Sequence, residues 1–165
     1  MSDPAVPPTG IAILVDADAC PVKREVYKVA ARYGLPVKLV ANAPMGRPQD
    51  LDVEVVVVSD GFDAADDWIA ERAGETPIVV TADVPLAQRC LAAGAAVIGP
   101  RGRPFTQQSI GMARATRDLL DNLRAGGAER VGGGPPPLDV KDRSRFLSAL
   151  DEAVVRLRRR LPRGP

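Results

Sequence analysis

Short apolar runs alternate with helical patterns along the first hundred residues, and this alternation restricts the possible folds more than any other feature. The runs are rich in β-branched residues, as strands buried on both faces are. They span Ile11 to Val15, Val37 to Ala41, Val53 to Val58, Ile78 to Thr81, and Ala96 to Ile98. Strands that alternate with helices of about 10–15 residues form βαβ units. We therefore predict an α/β fold, a three-layer α/β/α sandwich around a mainly parallel five-stranded sheet.

Proline, glycine and capping residues mark the helices between and beyond these strands. Pro21 suits the first turn of the first helix, which Gly34 ends. Asp83 can cap a helix from Pro85 to Ala93, which Gly94 ends. Further helices are predicted before Gly74, from about Ser109 to Arg124, and after Asp142.

The chain of 165 residues fits one compact domain. We assign residues 11–160 to this domain and treat residues 1–10 and 161–165 as disordered tails. No run approaches the roughly 20 apolar residues of a membrane span, and the N-terminus lacks the pattern of a signal peptide. We therefore expect a cytoplasmic protein without membrane partners, with Cys20 and Cys90 reduced.

Charge is divided unevenly along the chain and histidine is absent. Residues 1–100 hold 14 acids and 8 bases, whereas residues 101–165 hold 7 acids and 14 bases. This division suggests a cation site beside an anion-holding surface, although solvated helix faces explain it equally well. The absence of histidine excludes Ser-His-Asp catalysis and imidazole-ligated zinc.

Aspartates follow several of the predicted strands. The carboxyl ends of parallel strands open onto one edge of a sheet, where ligands bind. The sequence therefore predicts that distant segments bring carboxylates together at this edge. The principal candidates are Asp16, Asp18, Asp66 and Asp83, and the secondary candidates are Asp60, Asp63 and Asp67.

Clustered carboxylates favour a divalent cation. Two of them about 4 Å apart repel by something like 4 kcal/mol at an effective dielectric near 20. A set of ligands made only of oxygen selects Mg²⁺ or Mn²⁺, as one ion or two. Taken singly, each aspartate also has a structural explanation, such as the helix cap at Asp83 or a first-turn acid at Asp66.

Cationic and hydroxyl side chains near these strand ends are candidates for contacts with substrate phosphate. They are Lys23, Thr81, Arg101, Arg103, Arg114 and Arg117. Aromatic residues make up 4% of the chain, which argues against extensive base stacking and favours recognition of a nucleic-acid backbone.

Three motifs resemble those of the bacterial YaiI/YqxD family. They are Asp16-Ala-Asp-Ala-Cys-Pro-Val-Lys23, Val58-Ser-Asp-Gly-Phe-Asp-Ala-Ala-Asp-Asp-Trp-Ile69 and Thr81-Ala-Asp-Val-Pro-Leu-Ala87. The resemblance covers nearly all of the chain except its two tails. Ser109 departs from it, because the family favours Asn there.

The fold of that family is in turn similar to the PIN and NYN superfamily of metal-dependent nucleases. This similarity implies metal-binding and catalytic roles for Asp16, Asp66 and Asp83, with Asp18 as an added neighbour.

The leading hypothesis is a Mg²⁺- or Mn²⁺-dependent hydrolase of RNA phosphodiesters, with a homodimer left open. A second is a phosphatase of the haloacid-dehalogenase type, but its motif order disagrees because Asp66 and Asp67 precede Thr81. A receiver domain with Asp60 as phosphoacceptor lacks the lysine after strand five. A further hypothesis is an RNA-binding or interaction module without catalysis.

Overall fold

The computed structural model describes residues 10–59, 61, 63–112, 115 and 137–161. It contains a five-stranded sheet in which every neighbouring pair of strands is parallel. The strands are β1 (Ala12–Asp16), β2 (Val37–Ala41), β3 (Val53–Val57), β4 (Pro77–Val80) and β5 (Ala96–Ile98). Their order across the sheet is β3-β2-β1-β4-β5. The predicted α/β fold with a parallel five-stranded sheet is confirmed.

Helices cover both faces of this sheet. They are α1 (Lys23–Tyr33), α2 (Ala64–Arg72), α3 (Val84–Ala92), α4 (residues 107–112, within a segment that is only partly described) and α5 (Val140–Arg160). The side chains of each strand alternate between two cores, as the period of a strand requires. Ile13 and Val15 of β1 pack with α1 and α5, whereas Leu14 packs with α2 and α3.

The predicted start of the first helix was wrong. The chain leaves β1 through a short 3₁₀ turn (Ala17–Ala19), and Cys20 is extended, so Pro21 lies before the helix. The first helical bond joins the Val26 N–H to the Val22 carbonyl, and α1 begins at Lys23.

The last helix also begins earlier than predicted, because Asp139 is its N-cap. Asp139 accepts a hydrogen bond from the Asp142 N–H, and the Asp142 carboxylate accepts one from the Asp139 N–H. This reciprocal capping satisfies two N–H groups that would otherwise lack partners at a helix start. Helix α5 therefore begins at Val140, and its buried stripe contains Phe146, Leu150 and Val154.

A tight turn after β5 contacts the first turns of α5. Gly102 has a φ of +85°, and a Cβ built there would lie 2.5 Å from the carbonyl carbon of Arg145. Arg101 donates a hydrogen bond to Asp142 at 2.8 Å and so joins the turn to the helix cap. These contacts fix the turn that follows the carboxyl end of β5.

Both cysteines, Cys20 and Cys90, are buried free thiols, as predicted. Among the described residues, no helix is long and apolar enough to cross a membrane. The predicted tails fall almost entirely outside the described residues.

Candidate functional site

The order of the strands creates a switch point at β1. From β1 the chain proceeds outward to β2 and β3, then returns to the other side of β1 with β4 and β5. Ligands of open parallel sheets bind outside the carboxyl ends of the strands at such a reversal. Asp16 is the last residue of β1, and Thr81 directly follows β4. The two residues lie on either side of this crevice.

Thr81 connects two of the predicted aspartates. Its hydroxyl donates a hydrogen bond to Asp16 Oδ2 at 3.0 Å and accepts one from the Asp83 N–H at 3.0 Å. Within the described part of the chain, Thr81 is the one polar residue of the buried core, with 2% of its surface exposed. The Thr81 hydroxyl therefore acts as both donor and acceptor, and these two hydrogen bonds position the ends of β1 and β4.

Asp83 lies at the start of α3 and caps it. Its Oδ1 accepts a hydrogen bond from the Leu86 N–H at 2.8 Å, as in an N-cap. Asp83 is thus the helix cap that the sequence indicated. The cap uses one of the two oxygens of the Asp83 carboxylate.

Asp18 is exposed and is held from the neighbouring strand end. Its Oδ2 accepts a hydrogen bond from the Asn42 N–H at 3.0 Å, just after β2. The Asn42 side chain donates in turn to the Ser59 carbonyl at 2.9 Å, just after β3. Asn42 thus joins three strand ends, and the sequence analysis did not select it. Asn42 directly follows a predicted strand, and this position could have identified it as a residue of the site.

Asp66 reaches the same edge from the first turn of α2. Its pKa is raised from the ordinary value of 3.8 to about 6, first by burial and then by the charges of Asp83 and Asp16. Asp63 raises it further, whereas Arg89 lowers it. Carboxyls from α2, from the end of β1 and from the start of α3 therefore interact electrostatically.

The pKa of Asp16 changes in the same sense. Burial raises it, the Thr81 hydrogen bond lowers it, and the charges of Asp83 and Asp18 raise it. The structure therefore brings Asp16, Asp66 and Asp83 into one electrostatic neighbourhood, with Asp18 at its margin.

The secondary candidates are less closely involved. Asp63 has a φ of 66°, in the left-handed region that Asp tolerates better than most residues, and it precedes α2. Asp67 is exposed and pairs with Arg89 of α3 at 2.8 Å. Asp60 lies outside the described residues.

The predicted phosphate-contacting arginines have varied surroundings. Arg101 pairs with Asp142 at 2.8 Å, which gives it a structural partner at the start of α5. Arg103 is exposed in the same turn. Arg114 and Arg117 lie outside the described residues. Lys23 donates a hydrogen bond to the Cys20 carbonyl at 2.9 Å.

The acidic neighbourhood is not a closed metal site. Across the residues that the structure describes, no group of three or more Asp, Glu or Cys side chains is arranged to hold a metal ion. Asp83 is turned toward its own helix and Asp16 toward Thr81. The carboxylates of Asp16, Asp18 and Asp83 are thus directed at partners within the protein.

These features define a parallel α/β domain whose switch point carries carboxylates from separate segments. The family model of the uncharacterised bacterial YaiI/YqxD family matches residues 14–156. The chain belongs to this family, as the sequence motifs predicted.

Relatives in other bacteria are similar over almost their full length. The UPF0178 protein of Sphingopyxis alaskensis is 60% identical over 149 residues, covering 90% of this chain and 96% of the relative. That of Nitrobacter winogradskyi is 56% identical over 151 residues, covering 92% and 95%. That of Brucella ovis is 58% identical over 153 residues, covering 92% and 94%. No solved structure matches the chain.

Proposed function

We propose that the protein is a divalent-metal-dependent hydrolase of RNA phosphodiesters. The observation that carries this proposal is the convergence of the Asp16, Asp66 and Asp83 carboxyls at the carboxyl edge of the sheet, where burial and the charges of Asp83 and Asp16 raise the pKa of Asp66. Such mutual repulsion destabilises the folded state unless a cation relieves it. Perturbed carboxyls in a crevice at a sheet switch point are typical of functional sites.

The chemistry of the donors fits Mg²⁺ or Mn²⁺. All of the candidate ligands are carboxylates, which these ions prefer, and they come from separate segments rather than from a calcium loop. Asp16, Asp66 and Asp83 would hold the ion, with Asp18 beside them. A bound ion supplies Lewis-acid polarisation of the phosphodiester and makes water a better nucleophile.

The residues of the chain prepare the site in distinct ways. Thr81 holds the Asp16 carboxylate in one orientation through its hydroxyl. Asp66 must lose its proton to act as a ligand, and its pKa of about 6 allows this at neutral pH. Asp83 has a second oxygen beyond the one that caps α3. The proposal requires the Asp66 and Asp83 side chains to turn toward Asp16 when the ion binds.

The similarity of the family motifs to PIN and NYN nucleases supports the same chemistry. That similarity assigns metal ligands to Asp16, Asp66 and Asp83, the residues whose carboxyls interact electrostatically here. Two lines of argument, one from motif order and one from electrostatics, thus select the same side chains.

A second candidate is an RNA-binding module whose acidic site does not catalyse. The arrangement of the described carboxylates favours this second candidate, because no group of three or more of them is arranged to hold a metal ion. The two candidates differ in one respect: only the hydrolase cleaves RNA when the ion is present.

The test combines cleavage with thermal unfolding. A fluorescent single-stranded RNA is incubated with the protein and Mn²⁺ or Mg²⁺, and the melting temperature is followed over the same concentrations. We expect metal-dependent cleavage and stabilisation for the wild type, and the loss of both for Asp16→Asn and Asp66→Asn. Loss of an outer-shell partner of a metal ligand costs roughly 10–100-fold, so we expect removal of a ligand itself to cost about a hundredfold or more in rate.

Glu71→Gln is the matched control. Glu71 is an exposed acid on the same helix as Asp66, with 70% of its side-chain surface accessible and a solvent-exposed pair with Arg72 at 3.7 Å, so its replacement by Gln changes mainly the charge. Stabilisation without cleavage would favour the binding module. Neither stabilisation nor cleavage, or equal effects for Glu71→Gln and Asp66→Asn, would contradict the metal site.

A further inference from the structure

A groove rich in cationic side chains lies between the start of α1 and the start of α5. Its volume is about 610 Å³, and it is lined by Cys20, Pro21, Lys23, Arg24, Glu25, Lys28 and Arg143. Four of these side chains are cationic and one is acidic. The groove therefore presents an excess of positive charge in a concave surface, although the first hundred residues are acidic as a whole.

Two of the cations are fixed by hydrogen bonds to the protein. Lys23 Nζ donates to the Cys20 carbonyl at 2.9 Å. Arg143 donates to the Pro21 carbonyl at 2.9 Å and pairs with Glu25 at 3.1 Å. The Glu25 side chain is 12% exposed and the Arg143 side chain is 44% exposed, so the pair lies at the surface and joins α5 to α1. The groove is thus assembled from distant parts of the chain.

The other two cations have no comparable structural role. Arg24 and Lys28 lie one turn apart on the same face of α1, and both are exposed. Neither forms an ion pair with any other described residue. Like charges at this spacing weaken a helix slightly. Both side chains are therefore available to contact an anionic ligand.

The groove begins beside the acidic edge of the sheet. Cys20, in its wall, directly follows the 3₁₀ turn that carries Asp18. Lys23 donates a hydrogen bond to the Cys20 carbonyl, so a cation of the groove lies beside the turn that carries Asp18.

We propose that this groove binds the phosphate backbone of single-stranded RNA and guides the strand to the acidic edge. The inference rests on the proposed function, and it adds the path of the substrate. A polyanion that approaches a carboxylate cluster is repelled, so cations beside the cluster are needed to hold it. Among the described residues that line the groove none is aromatic, so we expect binding to depend on phosphates and not on base sequence.

Binding is measured by fluorescence anisotropy with a labelled single-stranded RNA of mixed sequence, in EDTA, over a series of salt concentrations. The test variant is Arg24→Gln with Lys28→Gln. We expect roughly tenfold weaker binding, and a salt slope smaller by about 1.4, since each lost contact on a single strand contributes about 0.7. The charge-retaining variant Arg24→Lys with Lys28→Arg should bind like the wild type.

The matched control is Arg159→Gln with Arg160→Gln. This pair removes the same charge from exposed positions at the end of α5, outside the groove lining. The groove proposal is wrong if both charge-removing variants weaken RNA binding equally. It is also wrong if the test variant binds RNA as tightly as the wild type does. A wild type that fails to bind RNA at low salt would overturn it as well.

Two further measurements separate the ligands and the two proposals. If polyglutamate binds with the same dependence on Arg24 and Lys28 as RNA does, the groove recognises an acidic protein partner and the RNA proposal is wrong. Because EDTA removes metal, binding is scored without cleavage. If RNA binding depends on Arg24 and Lys28 but no cleavage occurs in Mn²⁺, the groove proposal is supported and the hydrolase proposal is wrong. If RNA is cleaved but its binding does not depend on these two residues, the hydrolase proposal is supported and the groove proposal is wrong.

Discussion

At the scale of single residues, Asp66 shows how the candidate site opposes the stability of the fold. Its carboxyl has a pKa of about 6 in the folded protein against an ordinary value of 3.8. At pH values between these two, the Asp66 carboxyl is therefore protonated in the folded state and ionised in the unfolded state. By linkage, the free energy of unfolding falls as the pH rises from about 4 through about 6. Above that range the charged carboxylate destabilises the folded protein.

Replacing Asp66 with Asn should consequently stabilise the metal-free protein at neutral pH. We expect a gain of about 1 kcal/mol, or roughly 3 °C in melting temperature, after allowance for solvent screening. The difference should shrink toward pH 4, where the wild-type carboxyl also becomes neutral. Melting curves in EDTA at pH 4, 5, 6 and 7 measure it.

Glu71→Gln on the same helix serves again as the control and should not reproduce the gain in stability at pH 7. A variant Asp66→Asn that is less stable than the wild type at pH 7, or a difference that does not change with pH, would contradict the electrostatic account of the site.

At the scale of structural elements, the turn after β5 is fastened to α5 by a close backbone approach. Gly102 has a positive φ, and the backbone of Phe146 and Arg145 leaves no room for a Cβ. Arg101 adds an ion pair with Asp142 of the helix cap. The turn therefore holds α5 against the face of the sheet that α1 also covers.

Gly102→Ala should weaken this attachment strongly. Left-handed strain and the steric conflict together cost about 3 kcal/mol, which corresponds to a loss of roughly 6–12 °C in melting temperature. The measurement is thermal unfolding by circular dichroism.

Gly111→Ala is the corresponding control, because a Cβ there meets nothing within 4 Å and residues 107–112 are helical. Its expected effect is neutral or slightly stabilising. A Gly102→Ala protein that melts like the Gly111→Ala protein would show that the close approach does not matter.

The strands were predictable and the helix starts were less so, for a physical reason. Ala96–Ile98 has the predicted bounds because an uninterrupted apolar run is buried in a parallel sheet, and Val37–Ala41 has them although Lys38 interrupts its apolar residues. Pro21 suits a helix start, yet the 3₁₀ turn before it delays α1 to Lys23. At α5, Asp139 and Asp142 are both good caps, and only their reciprocal hydrogen bonds select Asp139.

At the scale of the whole molecule, the parallel topology explains which parts of the site the sequence could reveal. Aspartates after strands must meet at one edge, so Asp16, Asp18, Asp66 and Asp83 could be selected from the sequence. The order of the strands could not be read, and it is this order that places Asp16 beside Thr81 at the switch point.

The groove was missed for the same reason. Its walls combine Arg24 and Lys28 of α1 with Arg143 of α5, and Arg143 and Glu25 are 118 residues apart in the chain. No local sequence pattern predicts a contact between residues so far apart in the chain. The sequence showed the cations, and only the docking of α5 on α1 gathers them.

Anomalous diffraction from crystals soaked in Mn²⁺ tests the central claim most directly, namely that carboxylates from three segments share one cation site. The account predicts a manganese peak among Asp16, Asp66 and Asp83, with carboxylate oxygens at roughly 2.0–2.3 Å, and no peak in Asp16→Asn crystals. Manganese bound elsewhere, or no peak at saturating concentration, would contradict it.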